Sequence, residues 1–411
     1  MKKKSRIILT AAAVLLVGPV LLTAQQTDKG KFVKRDNPFY DQVKKELAEY
    51  YEKKESEKER TYFKMDLEGR EFPTNMKKYE TFWHNPVEPQ ARTSTCWSFA
   101  TTSYLESDIY RLHGLKIKLS QMFVVYHEYL EKAAGFVASR GESYFPAGSE
   151  ANAVTKIIKK YGIVPYEHYS GKKDGIPFHD HSRLHRELAD FLEGVKKTGA
   201  WNREAVLDTV KAIMNHYLGK PPAVFVWEGR RYNPKSFTER YLQLNPDDYV
   251  DILSYLQQPF YEKVEYEVPD NWWHDKSYHN VPLEVFMDTL KSVVQKGYSV
   301  AIGGDVSEPG YNAMKEVAVI PTFDIPREYI DDHARQFRFS NRTTTDDHGI
   351  HIVGYGVFDG DWWFVIKDSG SGARNGENVG YRFIREDYVK LKFMDFMVHR
   401  SAVEGLLEKF N

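Results

Sequence analysis

The sequence contains a single cysteine, Cys96, in 411 residues. A lone cysteine cannot form a disulfide within its own chain, so any special role of Cys96 is that of a free thiol. The chain also lacks an excess of either charge, with 57 basic and 58 acidic residues. Such a balance gives no electrostatic footprint for nucleic acid or an anionic membrane surface. We therefore expect no nucleic-acid partner.

The first 24 residues differ from the rest of the chain. They carry four of the basic residues and no acidic one, and residues 7–24 are apolar, so the remainder has a formal charge of −5. A basic head followed by an apolar run is typical of an export signal, and cleavage is expected after Ala24. The alternative is an uncleaved membrane anchor, which Gly18 and Pro19 weaken. We predict export to the periplasm or the extracellular space, with membrane contact only if the segment stays uncleaved.

The order of the predicted elements indicates an α+β protein, helix-rich early and strand-rich late. Residues 25–70 are a charged arm whose helical pattern over 39–60 fits a solvated arm or an amphipathic helix on the main body. Residues 71–217 form a helix-rich lobe, and residues 283–411 form a β-rich lobe. Within the intervening segment, 218–282, short strand-like runs alternate with turns.

The residues after Cys96 repeat apolar side chains at helical spacing as far as Gly114, a good helix stop. Residues 93–95 are plausible N-caps. Cys96 is therefore predicted in the first turn of a buried helix, where the helix dipole favours a thiolate. Further helices are predicted over 119–134, 148–160 and 283–296, and strands over 298–303, 345–358, 361–367, 380–384 and 393–399.

Two later residues supply what a reactive thiol needs. His348 begins a strand pattern whose alternation places His351 on the opposite face, and Asp368 ends the next strand after the turn Asp359-Gly360. A hairpin brings Asp368 close to His348, where it is expected to accept the imidazole Nδ1–H. Gln90, six residues before Cys96, offers an amide that with the Cys96 backbone N–H would bind an oxyanion.

These residues occur in the order of a known family. The chain resembles the papain-like cysteine peptidases, and more narrowly their bleomycin hydrolase or aminopeptidase C branch. The resemblance is carried by Gln90, C-W-S-F-A at 96–100, L-S-Q at 119–121, K-Y-G-I-V-P at 160–165, H-x-x-x-x-V-G-Y-G from His348 and I-K-D-S around Asp368. It implies a papain-like fold with a helical lobe, an antiparallel β lobe and, at 218–282, a mostly helical insertion. The 252 residues between Cys96 and His348 fit such an insertion.

The resemblance also implies roles for single residues. Cys96 is expected as nucleophile, His348 as base and then acid, Gln90 as oxyanion donor and Gly148 as a contact to the substrate backbone. Asp368 occupies the position of the family's orienting asparagine. An aspartate would stabilise an imidazolium more strongly than an asparagine does.

Several positions depart from the family pattern. Gly370 replaces a tryptophan that shields the orienting contact from water, Ala147 replaces a glycine, and Ser94-Thr95 replaces Gly-Arg. The C-terminal arm that makes this branch an aminopeptidase is not evident in the short tail over 401–410. These departures put efficiency and specificity in question more than the type of reaction.

The sequence thus predicts an exported cysteine peptidase acting on peptides, aminopeptidase-like, with no cofactor and no metal. His179, His181 and His185 are interpreted as a solvated helix start instead of a metal site. Alternatives left open are an endopeptidase, a catalytically weakened protein that binds peptides or a partner, and acyl transfer to an amine. The resemblance also leaves a ring-shaped homo-oligomer open.

Overall fold

The computed structural model describes residues 28–34, 36–51, 61–143, 145–173 and 175–410. The predicted export signal, 1–24, lies outside these ranges, as do residues 52–60 of the arm. Among the described residues, no helix is both long and apolar enough to cross a membrane.

The described helices lie mainly in the first half of the chain. They are α1 (Pro38–Tyr51), α2 (Cys96–His113), α3 (Gln121–Ala138), α4 (Ala151–Tyr161), α5 (Ser182–Thr198), α6 (Arg203–Leu218), α7 (Pro234–Ser236), α8 (Leu283–Gln295), α9 (Asp332–Ser340), α10 (Glu386–Lys392) and α11 (Glu404–Leu407). The helices α2 to α6 share one apolar core, which includes Trp97, Tyr129 and Leu188.

The strands are concentrated in the second half. They are β1 (Gly30–Lys34), β2 (Thr61–Met65), β3 (Glu80–Thr81), β4 (Phe225–Trp227), β5 (Arg230–Tyr232), β6 (Tyr249–Leu253), β7 (Lys263–Val264), β8 (Tyr278–Asn280), β9 (Val300–Gly304), β10 (Tyr311–Asn312), β11 (Val317–Ala318), β12 (His348–Phe358), β13 (Asp361–Lys367), β14 (Tyr381–Arg385) and β15 (Phe393–His399).

One mixed sheet of eleven strands organises the β-rich lobe. Its order is β10-β11-β14-β13-β12-β9-β15-β6-β8-β7, with β3 paired to β12. Most pairings are antiparallel, and the exceptions are β11 with β14 and β6 with β8. One face of the sheet packs with α8 and α10 in a second apolar core. The α+β papain-like organisation, with helices early and sheet late, is confirmed.

Several local predictions are confirmed. Ser120 caps α3 by accepting a hydrogen bond from the Phe123 N–H, and Gly114 ends α2 in the left-handed conformation. Asp359 and Gly360 both have positive φ, the geometry of the tight turn predicted between β12 and β13. The helix of the arm, α1, buries Val43 and Leu47 and is tied to the body by a hydrogen bond from the Phe39 N–H to Asn375.

The prediction of a mostly helical insertion over 218–282 is wrong. The segment forms the β4–β5 hairpin, the short helix α7 and the strands β6 to β8. Of these strands, β6 pairs with β15 and so belongs to the main sheet. The physical reason is that prolines recur through the segment while aromatic residues pack across the β4–β5 hairpin, for example Phe225 against Tyr232. The helices of this region, α5 and α6, lie before it.

Helix α2 packs directly on β12. Ser103 Oγ lies 2.9 Å from His351 Nδ1, and both residues are buried. His351 faces away from His348, as predicted, and it is fully buried. This contact joins the element that carries Cys96 to the strand that carries His348.

Candidate active site

Cys96 is the first residue of α2. The carbonyl of Thr95, the N-cap, accepts the first backbone hydrogen bonds of the helix, from Ser98 at 3.0 Å and Phe99 at 3.3 Å. The Thr95 hydroxyl does not cap the helix and lies 2.7 Å from that of Thr93. The N–H groups of Cys96 and Trp97 come before these bonds and therefore have no acceptor within the helix. The partly exposed thiol of Cys96 thus sits at a helix N-terminus, where the dipole favours negative charge.

Strand β12 approaches α2 most closely at Gly349. A Cβ at this position would lie 3.3 Å from the Cα of Trp97 and 3.7 Å from the carbonyl carbon of Cys96. Glycine therefore permits a backbone contact that a larger residue would push apart. The contact brings His348 beside Cys96, and both residues line the same pocket.

Asp368 lies on the other side of the His348 ring. Its Oδ1 is 2.7 Å from His348 Nε2, because the β12–β13 hairpin ends with Asp368 next to the start of β12. The predicted partner atom, Nδ1, is therefore wrong. The far nitrogen of the ring, Nε2, reaches the carboxylate, which leaves Nδ1, the nitrogen nearer the backbone, as the one that can serve Cys96.

The Asp368 carboxylate has three further neighbours. Oδ1 accepts a hydrogen bond from the Gly370 N–H at 2.7 Å, and Oδ2 accepts one from the Tyr311 hydroxyl at 3.2 Å. The guanidinium of Arg382, which is fully buried, lies 3.6 Å from Oδ2 and 4.4 Å from the centre of the Tyr311 ring. A buried cation therefore balances the charge that aspartate brings in place of the family's asparagine.

The contact between His348 and Asp368 is largely buried, although Gly370 stands where the family has a tryptophan. Asp368 is only 3% exposed. A Cβ at position 370 would lie 3.0 Å from Asp368 Oδ1 and 3.3 Å from His348 Nε2. The backbone of Gly370 thus covers the contact closely, and even a methyl group at 370 would press on both side chains.

The charges of the site favour an imidazolium. Burial by itself lowers the pKa of His348, but Asp368 and Cys96 raise it well above its ordinary value. Burial likewise raises the pKa of Asp368, but His348, Arg382 and the Gly370 N–H together hold it below its ordinary value. Both shifts keep the pair ionised at neutral pH.

Gln90 is held by the segment that follows Asp368. Its backbone N–H donates to the Ser369 carbonyl at 3.0 Å, and its side-chain Oε1 accepts from the Ser369 hydroxyl at 2.8 Å. This leaves the amide NH₂ as the group with which Gln90 can donate. Ala91 and Ser94 have positive φ, so the loop between Gln90 and Cys96 is tightly bent.

Gly148 lies near the active site, and its carbonyl oxygen already has a hydrogen-bond donor. Its carbonyl accepts a hydrogen bond from buried Lys132, and a Cβ on Gly148 would lie 2.0 Å from an oxygen of Asp270. The neighbouring Ala147 carbonyl accepts from Trp97 Nε1 at 3.1 Å, which ties this loop to α2. A role for Gly148 in binding substrate stays a prediction.

Of the three histidines around the start of α5, His179 and His181 are buried and His185 is half-buried, so their interpretation as a solvated helix start is wrong. His179 and His181 are 4% and 1% exposed, and His185 Nε2 lies 2.9 Å from the Tyr129 hydroxyl. They fill space beside α3 because the loop at 179–181 is drawn in by backbone hydrogen bonds to Arg92. Within the described ranges, no group of acidic, histidine or cysteine side chains is arranged to hold a metal ion.

Sequence reasoning missed Tyr311, Arg382, Gly349 and the part that Ser369 plays in holding Gln90. One signal was present: Arg382 interrupts the apolar strand pattern over 380–384, and a charge inside a buried strand needs a partner. The others depend on which strands become neighbours.

Comparison with known proteins identifies the family and the fold. The model of the Peptidase C1-like family matches residues 146–403, which include His348 and Asp368. Among solved structures, PepW from Lactobacillus rhamnosis HN001 is similar at 18% identity, with a TM-score of 0.64, over 82% of this chain and 84% of that chain. A structure from work on the mite allergens Blo t 1 and Der p 1 has 13% identity and a TM-score of 0.38, over 82% and 74%. No curated protein matches the sequence.

Fold and family together define a papain-like cysteine peptidase. The chain belongs to the Peptidase C1-like family, whose model covers more than half of it. Its substrates are accordingly peptides.

Proposed function

We propose that the chain hydrolyses peptide bonds with Cys96 as nucleophile, His348 as general base and acid, and Asp368 as the residue that orients the imidazole. The observation that carries this proposal is the thiol at a helix N-terminus beside an imidazole whose far nitrogen lies 2.7 Å from a buried carboxylate. A nucleophile, a base and an orienting group in this order are the requirements of nucleophilic acyl transfer.

The steps follow from which atoms face each other. The Cys96 thiolate attacks the carbonyl carbon, and a C–S bond forms as the carbonyl oxygen takes negative charge. His348 then gives its Nδ1 proton to the leaving amine as the C–N bond breaks. Water attacks the resulting thioester while His348 accepts a proton, and the acid product leaves as the C–S bond breaks.

Gln90 is proposed to bind the oxyanion together with the Cys96 backbone N–H. The support is that Ser369 occupies the amide oxygen of Gln90, which fixes the NH₂ as the donor half. A preorganised donor costs no reorientation when charge develops on the substrate.

One assay decides between hydrolysis and a catalytically weakened binding protein. Purified protein and Cys96→Ala are incubated with fluorogenic aminoacyl amides and with an internally quenched peptide. We expect cleavage by the native chain, none by Cys96→Ala, and labelling of Cys96 alone by a thiol-directed epoxide. Intact substrates together with an unlabelled thiol would reject the enzyme.

Aminopeptidase-like action is part of the proposal and rests on the resemblance of the motifs. The same two substrates test it, since an aminopeptidase releases the fluorophore from aminoacyl amides whereas an endopeptidase opens the quenched peptide. Predominant cleavage inside the quenched peptide would replace aminopeptidase by endopeptidase action.

Export is proposed from residues 1–24 alone. The expected result is a mature protein outside the cytoplasm whose mass lacks these residues. Retention of the full mass in a membrane fraction would favour the anchor, and retention in the cytoplasm would exclude export.

A further inference from the structure

A pocket beside Cys96 and His348 is lined by acidic side chains. Five carboxyl groups line it: Glu150, Asp270, Asp346, Asp347 and Asp395. They come from four separate parts of the chain, and the described lining contains no lysine and no arginine. The pocket opens next to the thiol, so a group bound in it would belong to the residue at, or next to, the reacting bond.

Two of these carboxylates have an oxygen without a hydrogen-bond partner. Glu150 Oε1 and Asp395 Oδ1 are both buried and unpaired among the described residues, and the side chains are 4% and 2% exposed. Glu150 precedes α4 but does not cap it, so the helix does not use its carboxylate. A buried acceptor without a donor costs free energy, which a bound donor would recover.

Gly303 on β9 allows the carboxylates to converge. A Cβ at this position would lie 2.6 Å from Asp395 Oδ1 and 3.5 Å from Asp346 Oδ1. Glycine therefore leaves the space into which both carboxylates point.

Apart from the imidazolium of His348 at the edge of the pocket, the buried cations that act on its carboxylates are directed elsewhere. Lys132 donates to the carbonyls of Pro146 and Gly148, and Arg335 donates to those of Ser254 and Phe393. The charges of Lys132 and Arg335 act on the pocket at a distance, but the hydrogen bonds named above go to backbone carbonyls and not to the pocket's carboxylates.

The electrostatics of the pocket also favour a bound positive charge. Burial and mutual repulsion hold the pKa of Glu150 and Asp395 well above the ordinary value. Burial also raises the pKa of Asp346 to about 7, although its hydrogen bond with Glu150 opposes the rise. A positive charge entering the pocket would relieve this repulsion and favour the ionised carboxylates.

We propose that this pocket binds a protonated amine or guanidinium of the peptide, so that the enzyme selects substrates carrying a positive charge next to the scissile bond. The charge comes from a lysine or arginine side chain or from a free amino terminus. This inference rests on the proposed function of Cys96 and His348, because it assigns the pocket to the same reaction.

A binding experiment on Cys96→Ala separates the inference from catalysis. Hexapeptides that carry one lysine, moved position by position, are compared by calorimetry with the same peptides carrying norleucine. Acetylated and free amino termini form the second arm. We expect lysine at one position, or the free terminus, to bind roughly tenfold more tightly than its uncharged counterpart.

Glu150→Gln and Asp395→Asn, each added to Cys96→Ala, test the assignment to the pocket. Both should reduce the preference for the charged peptide towards unity, whereas the matched control Asp288→Asn, an exposed carboxylate on α8, should keep it. Circular dichroism checks the fold of each variant, and Asp346→Asn replaces any that fails to fold. A preference that survives Glu150→Gln, Asp395→Asn and Asp346→Asn would overturn the proposal.

Turnover by the protein with Cys96 intact distinguishes the two possible failures. Equal binding of lysine and norleucine peptides by a chain that cleaves both would overturn the pocket and leave the peptidase. Preferential binding of the charged peptide without any cleavage would support the pocket and reject the catalytic proposal.

Discussion

Arg382 lies 3.6 Å from Asp368 Oδ2, and its side chain is fully buried. Asparagine at position 368 would need no such counter-charge, whereas aspartate in a site 3% exposed to solvent does. The two residues therefore act together. Arg382 lowers the free-energy cost of burying the Asp368 carboxylate, and Asp368 stabilises the imidazolium of His348.

The first prediction concerns this pair. Arg382→Met should destabilise the fold by about 3 kcal/mol, because it removes one of the two cations beside a buried carboxylate and leaves only the imidazolium of His348. The double variant Arg382→Met with Asp368→Asn should lose clearly less than the sum of the single changes. Urea denaturation of the four proteins measures the cycle, and additive losses would show that the two side chains act independently.

The second prediction concerns pH. Because the pKa of His348 is raised well above its ordinary value, kcat/KM should hold through neutral pH and fall only in the alkaline range, as the imidazolium loses its proton. In Asp368→Asn the carboxylate that raises this pKa is gone. Its alkaline limb should move to lower pH by about one unit or more, and an unmoved limb would contradict the assigned role of Asp368.

The third prediction concerns Gly370, where the family has tryptophan. Gly370→Ala places a methyl group 3.0 Å from Asp368 Oδ1 and 3.3 Å from His348 Nε2. Its φ of −68° suits alanine, so the fold should persist while kcat falls roughly tenfold through displacement of the ring. Gly194→Ala in α5, where a Cβ has open space, is the matched control and should keep full activity.

The fourth prediction concerns stability and the acidic pocket. A carboxyl group whose folded pKa is raised stabilises the fold fully below its unfolded pKa, and this contribution is lost as pH rises through the folded value. For Asp346 that value is about 7, and Glu150 is shifted in the same direction. The melting temperature should therefore decline as the pH rises from about 4, where the unfolded aspartate ionises, to about 7, where the folded one does.

Glu150→Gln removes one of the repelling charges. We expect it to melt higher than the native chain at pH 8, by about 2 °C for each kcal/mol gained, with little difference near pH 4. Asp288→Asn should follow the native curve. Differential scanning calorimetry at several pH values measures both, and a lower melting temperature for Glu150→Gln at pH 8 would refute the argument.

Much of what surrounds Cys96 and His348 could be predicted from the sequence, because the patterns that indicate it lie close together in the chain. Residues 93–114 contain the start, the apolar spacing and the stop of α2, and Asp359-Gly360 fixes the register that brings Asp368 to His348. Where the chain supplies its own turn chemistry, element type and pairing follow from it.

The remaining features depend on tertiary neighbours. Arg382 meets Asp368 only because β14 pairs with β13, and the acidic pocket collects Glu150, Asp346 and Asp395 from elements far apart in sequence. The segment 218–282 illustrates the opposite error, in which family resemblance outweighed the strand-like runs and prolines actually present. No local sequence pattern predicts which buried carboxylates will lie beside one another in the folded protein.

The contact between Ser103 and His351 has a consequence for how this enzyme can change over time. Ser103 lies seven residues after Cys96 on α2, and His351 lies three residues after His348 on β12. The helix and the strand therefore touch twice, at Gly349 and again two helical turns further in, which fixes both their distance and their angle. The Cys96 thiol and the His348 imidazole are therefore aligned by these buried contacts between α2 and β12, and not by the loops around the active site. Loops that contact substrate are thus free to diverge in sequence, and new peptide preferences can arise without rebuilding the chemistry.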